Sequence, residues 1–213
     1  MAKTKMDSRV VMSRMDYEII KRVYECALSI GLSDEELSFL MGKRNKYFFD
    51  LLDPTEKDKL KTEQLDILPA ILGIAIRDLV PNDVAAGEDV IIHASRSVTP
   101  LKVIYKHYVV FSNGSRGPVI TWTKKLVKGL RKKVNVELHQ RVLDLLESGY
   151  FNERRNALDL LLVLRGNGLL FSPAELQKSL AVLMNRKGGR HALLACQSEN
   201  SRYFYEQNSQ QLR

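Results

Sequence analysis

Between Asp16 and Val80 the chain is cut by its own punctuation into segments too short for anything but small helices. DYEIIKRVYECALSI, from Asp16 to Ile30, repeats its apolar residues Ile19, Ile20, Val23, Cys26, Ala27 and Ile30 at helical spacing, and Gly31 stops it. Ser33 followed three positions on by Glu36 has the capping-box pattern, and Asp34, Glu35 and Glu36 suit the positive end of a helix dipole. Leu37, Leu40 and Met41 are the buried side of that helix, and Gly42 ends it. A third helix is predicted over Asn45 to Leu52, closed by Asp53-Pro54. A fourth runs from Thr62, a candidate cap, through Leu72, interrupted at Pro69 and ended by Gly73, with one last turn over Ile74 to Leu79 before Pro81.

Short helices at this spacing form one small core, and the second of a tight pair is the one that enters a major groove. Ser33, Glu36 and Leu37 opening the first helix, Gly42 at the turn, and Tyr47 and Leu51 in the second make Tyr17 to Val80 resemble the phage-repressor-like (Cro and Xre-type) helix-turn-helix proteins. LDILPAILGIAIRDLVP is similar to that family's closing helices. The resemblance implies DNA contacts from Lys43, Arg44, Asn45, Lys46 and Tyr47 at the start of the recognition helix. Arg44 suits a guanine edge or a phosphate, and Asn45 an adenine edge. It also implies pairing of two copies on a two-fold site. The competing reading of this helix pair is a folding or docking module without base contact, since Ser33 to Pro54 carries a net charge of −2 and three successive aromatics, Tyr47, Phe48 and Phe49.

The formal charge of the 213-residue chain is +8, and its distribution matters more than its total. Residues 101–135 hold 9 basic and no acidic side chains, whereas residues 1–80 hold 13 and 14. A field focused in one segment draws a phosphate backbone. Within it, Val103 to Phe111 reads as a strand, SNGSRGP as a turn with Arg116 at its exposed tip, and Val119 to Trp122 as a returning strand. Val90 to His93 is a further short strand. TKKLVKGLRKKV then takes a helical period, with Leu126, Leu130 and Val134 on one face and Lys124, Lys125, Lys128, Arg131 and Lys132 on the others as phosphate contacts. A solvated linker helix and a helix lying on an acidic lipid surface are the alternatives.

From Val136 to Ser148 a helix carries Leu138, Val142, Leu145 and Leu146 on one side, and Gly149 stops it. Tyr150 and Phe151 read as a short strand, Asn156 caps the helix ALDLLLVLR, and Ser172-Pro173 opens SPAELQKSLAVLMNRK. HALLAC and RYFY, joined by QSENS, form a hairpin. The order helix, strand, helix, helix, hairpin over Val136 to Tyr205 resembles the winged-helix superfamily. That resemblance places Gln177, Lys178, Asn185, Arg186 and Lys187 on a third helix facing DNA, and Arg190 and Arg202 on a wing touching phosphate. Winged helices also dock proteins and pair with one another.

The expected fold is thus mainly α with small β elements: a flexible arm over 1–15, a helix-turn-helix bundle over 16–80, a strand-containing connector with a basic helix over 81–135, a winged-helix-like domain over 136–206 and a flexible tail over 207–213. His93, His107, His139 and His191 are separated by 14, 32 and 52 residues, with neither cysteine near them, so no metal motif is present. No phosphate loop or nucleophile elbow occurs, and the chain reads as a non-enzyme without a cofactor. Cys26 and Cys196 lie in apolar surroundings, which argues for a reducing, cytoplasmic setting. The longest apolar run, Ala157 to Leu164, is far short of a membrane span, and no secretory signal opens the chain. The leading expectation is a sequence-specific binder of double-stranded DNA that regulates transcription. A protein-docking adaptor and an accessory DNA-binding factor in replication or mobile-element transfer stand beside it.

Overall fold

The computed structural model describes residues 3–56, 58–125, 134–184, 192–197 and 202–208. In chain order the first half contains β1 (Lys3–Ser13), α1 (Arg14–Ser29), α2 (Asp34–Leu40), α3 (Tyr47–Leu51), α4 (Thr62–Leu65), α5 (Leu68–Leu72), α6 (Ile76–Leu79), β2 (Asp89–Val98), β3 (Lys102–Val110) and β4 (Ile120–Lys125). The second contains α7 (Val136–Glu147), a 3-10 turn (Tyr150–Asn152), α8 (Ala157–Gly166), α9 (Pro173–Met184), β5 (Leu193–Gln197) and β6 (Tyr203–Gln207). This is a mixed α/β fold with two antiparallel sheets. Two compact units divide it: Met1–Asp34 with Lys46–Leu130, and Glu35–Asn45 with Arg131–Arg213.

The first unit is built on the sheet β1-β2-β3-β4, every neighbour antiparallel. Alternation makes it two-faced. Val90, Ile92 and Ala94 of β2 and Val103, Tyr105, His107 and Val109 of β3 are buried, as is Trp122 of β4. Onto this face α1 brings Tyr17, Ile19, Ile20 and Val23. Tyr24 meets Trp122 edge-on, with ring centroids 5.7 Å apart, and Phe49 of α3 meets Tyr105 at 5.5 Å. Burying each such side chain contributes about 1.5–3 kcal/mol, so the sheet and its helices hold one another in place. β1 passes straight into α1 at Ser13, whose Oγ accepts from the Asp16 amide, while Arg14 is clamped by Glu88 at 3.0 Å and Asp83 at 2.6 Å.

Several expectations change here. Within the expected arm over 1–15, residues 3–13 form β1, because Val10 and Met12 find Ile92 and Val90 as ladder partners, and Arg14 and Met15 open α1. The short strand at Val90 to His93 lengthens to Asp89–Val98, since it is paired on both sides. The returning strand continues through Thr123, Lys124 and Lys125, so the basic helix does not begin where its period suggests: Lys124 pairs with Val103 and Lys125 with Lys102. The remaining positions of that helix, Lys128, Arg131 and Lys132, lie outside the described residues. Helix 62–72 divides in two around residues 66 and 67, with Pro69 tolerated in the first turn of α5. Thr62 is not the cap; Lys61 holds that position, and its amide donates to Gln64 Oε1 at 2.9 Å.

The second unit gathers Leu138 and Val142 of α7, Leu160 and Leu164 of α8, and Leu176, Leu180 and Leu183 of α9 as buried residues, with Phe151 and Tyr205. Both predicted caps form. Asn156 Oδ1 accepts from the Asp159 amide at 2.9 Å while Asp159 Oδ2 accepts from the Asn156 amide at 3.0 Å, and Ser172 and Glu175 make the same reciprocal pair at the start of α9. Tyr150 and Phe151 form a 3-10 turn rather than a strand. The extended contact falls instead at Arg155, whose amide donates to the Tyr205 carbonyl at 3.0 Å and whose carbonyl accepts from the Tyr205 amide at 2.7 Å. β6 therefore pairs with β5 on one edge and with Arg155 on the other. On that same outer edge the Tyr203 amide donates to the Gly42 carbonyl at 2.7 Å. Gly42 has φ +67°, and an added Cβ would stand 3.3 Å from the Tyr203 carbonyl oxygen, so glycine serves both the turn and the approach of β6.

Candidate nucleic-acid interface

The segment that closes α2 lies in the second unit from Glu35 to Asn45, so Lys43, Arg44 and Asn45 share a unit with α9 and β6, whereas Lys46 and Tyr47 belong to the first. The two helices of the proposed helix-turn-helix pair thus fall in different units. Gln177 Nε2 of α9 donates to Asn45 Oδ1 at 2.7 Å. The Gly42–Tyr203 bond sets Arg202 beside Lys43. Three segments distant in sequence consequently bring Lys43, Arg44 and Asn45, Gln177 and Lys178, and Arg202 onto one part of the unit. Arg44 and Asn45 are exposed; Lys43, Gln177, Lys178 and Arg202 are half-buried.

The electrostatics are mixed. Glu36 Oε1 accepts from the Ala174 amide at 3.2 Å, placing a carboxylate on the positive end of α9, where an anion would otherwise be favoured. Arg154 is paired with Glu206 at 3.0 Å and Arg155 with Glu153 at 2.8 Å, so these two cations are already compensated. Burial pushes the Tyr205 phenol up to about 12 and raises the Cys196 thiol, leaving both uncharged near neutrality.

Tyr47, nominated as a groove contact, is half-buried, and its hydroxyl accepts from Gln64 Nε2; burial raises its phenol. Arg116 is exposed at the β3–β4 tip as expected, where an isolated bridge ties it to Val110. Its guanidinium lies 3.6 Å from the centroid of the Tyr108 ring. Lys124 and Lys125 are in β4, and Asn185, Arg186, Lys187 and Arg190 lie outside the described residues.

Sequence reasoning missed the outward face of the first sheet. Arg9, His93 and Tyr108 are successive ladder partners across β1, β2 and β3, and the His93 and Tyr108 rings stack at 5.0 Å and 5°. The signal was the parity of β3: Lys102, Lys106 and Tyr108 share one face, opposite Val103, Tyr105, His107 and Val109.

His107 occupies the inner face at 1% exposure, 3.1 Å from the Tyr17 hydroxyl and against Trp122. Burial lowers its pKa to about 4, helped by the Lys21 charge, so it is a neutral core residue at pH 7. Among the described residues no group of three or more His, Cys, Asp or Glu side chains is placed to hold a metal ion, and no helix is long and apolar enough to cross a membrane. No family model, curated protein or solved structure matches the chain.

Proposed function

We propose that this chain is a sequence-specific binder of double-stranded DNA, acting in transcription regulation without covalent chemistry, and that its second unit is a winged-helix-like reader. The observation that carries this reading is the Arg155–Tyr205 pairing. It is an isolated bridge, on the outer edge of β6, at the point in the chain where the order helix, strand, helix, helix, hairpin calls for its first strand. The argument from this topology to DNA is one of fold analogy. Support independent of it comes from the cations and amides of Lys43, Arg44, Asn45, Gln177, Lys178 and Arg202 within that unit, a mixture suited to phosphate positioning and base-edge readout. The 9 basic and no acidic residues between 101 and 135 add long-range attraction.

One observation favours a second reading. Glu36 satisfies an amide at the start of α9, which suits a helix that packs on protein more than one that meets phosphate. A docking adaptor is the outcome if DNA binding is absent. Titration of the full chain with a fixed duplex separates the two. Affinity should fall steeply between about 50 and 200 mM salt, as several phosphates release counterions. No binding at 50 mM salt rejects the DNA reading.

A further inference from the structure

The helices of the first unit cover one face of its sheet. Its other face carries a groove of about 430 Å³ lined by His93, Ser95, Lys106, Tyr108, Arg116 and Val119, among others. Two features distinguish this groove from an ordinary solvated sheet surface. The first is its stack: Tyr108 lies against His93 at 5.0 Å and under the Arg116 guanidinium at 3.6 Å, so three planar groups are ordered in a row. The second is its charge. Lys106 and Arg116 line the groove and no acidic residue does among the described residues, while Arg9, exposed, is the ladder neighbour of His93. Asp7, paired with Ser95, brings one acidic position to the same rows.

The position of Arg116 is built by the backbone. The Gly117 amide donates to the Val109 carbonyl at 2.9 Å, and a Cβ on Gly117 would stand 2.9 Å from Val109 Cγ2, so the loop folds back onto β3 only because residue 117 lacks a side chain. That return brings the exposed Arg116 over the Tyr108 ring.

We infer that this face binds single-stranded nucleic acid, with bases stacked on the His93–Tyr108–Arg116 row and phosphates met by Lys106 and Arg9. Planar groups on an open sheet face, flanked by cations, are how unstacked bases are held without sequence readout. A duplex presents its bases edge-on and stacked inside the helix, so it cannot use the row; a free strand can. The charge alone would suit any polyanion, and the planar row is what selects a strand carrying bases. The inference does not rest on duplex recognition by the second unit, and variants in that unit keep the two claims apart.

The test uses the full chain and a fluorescein-labelled oligothymidylate of 12 nucleotides in low salt, read by anisotropy. The double variant Lys106→Ala with Arg116→Ala should weaken binding by at least about ten-fold, as expected when two phosphate or stacking contacts are lost. Arg44→Ala and Lys178→Ala, in the second unit, should each weaken it by less than the groove variant does. An abasic strand of equal length should bind the unaltered protein at least about five-fold more weakly, the low end for loss of one stacked base. Tyr108 ring resonances should shift on adding the oligothymidylate. Failure of the unaltered protein to bind, equal affinity for the abasic strand, or loss of binding in the Arg44 and Lys178 variants instead of the groove variant would each overturn the inference.

Discussion

Arg155 and Tyr205 exchange both of their backbone hydrogen bonds, at 3.0 and 2.7 Å, although 50 residues separate them. The bridge fastens the chain immediately before α8 to the strand that ends the hairpin, and Tyr205 is buried at 6% exposure. Truncating a buried aromatic side chain costs about 3–5 kcal/mol. Tyr205→Ala should therefore lower the stability of the second unit by that order in denaturant unfolding, and in the unaltered protein the Arg155 and Tyr205 amides should exchange slowly with solvent. Fast exchange at both positions would show that the bridge does not hold in solution.

Gly42 should resist substitution. Its φ of +67° disfavours any L side chain, and its neighbour across the gap is backbone, which cannot swing away. Gly42→Ala should cost at least about 1 kcal/mol, measured as a lowered denaturant midpoint, because strain and the shortened approach to Tyr203 act together. An unchanged midpoint would mean that the 35–45 segment is not held against β6.

How much of this arrangement was legible in the sequence follows from how local each contact is. The caps at Asn156 and Ser172 and the pairing of β5 with β6 depend on neighbours a few residues away, and the sequence pattern located them. β1 was invisible because a strand is defined by its partner: Val10 reads as part of an arm until Ile92 is set beside it. The basic stretch misled for the related reason that TKK follows Trp122 in a strand, where pairing with Val103 and Lys102 overrides a helical period. Of the site, the residue types at Asn45 and Gln177 were picked out, but their meeting across 132 positions was not. The outward face of β3 was readable in principle, and its Lys-Tyr parity was obscured by β-branched residues on both faces.

Tyr105 offers a test of the first unit's core. At 1% exposure its hydroxyl donates to Asp53 Oδ2 at 2.9 Å, joining β3 to the end of α3, and burial with the nearby carboxylate raises its phenol far above the ordinary value. A hydrogen bond to a charged group contributes about 1.5–3 kcal/mol, so Tyr105→Phe should destabilise by that amount while preserving ring packing. A cost near zero would indicate that water replaces the hydroxyl at Asp53.

His107 sets the pH dependence. Its pKa is lowered from 6.5 to about 4 in the folded chain, so between those values the unfolded chain binds more protons and stability must fall as pH falls. The contribution is complete above about pH 6.5 and is lost on descending through pH 4, up to about 3 kcal/mol at 1.36 kcal/mol per pKa unit. His107→Leu should flatten this part of the stability-versus-pH curve, whatever it does to stability at pH 7. A curve of unchanged slope between pH 6.5 and 4 would place the buried proton acceptor elsewhere.

The central claim is that the second unit reads duplex DNA, and the most direct measurement is the ratio of affinities for a duplex selected by the full chain from a random library and for a scrambled duplex of equal length. The unaltered protein should prefer the selected duplex by ten-fold or more, on the order of one good base contact. Arg44→Ala and Gln177→Ala should each shrink that ratio, and Lys178→Ala should weaken both duplexes alike, as loss of a phosphate contact does. A library that yields no preferred duplex, or a ratio that all three variants leave intact, would contradict the account.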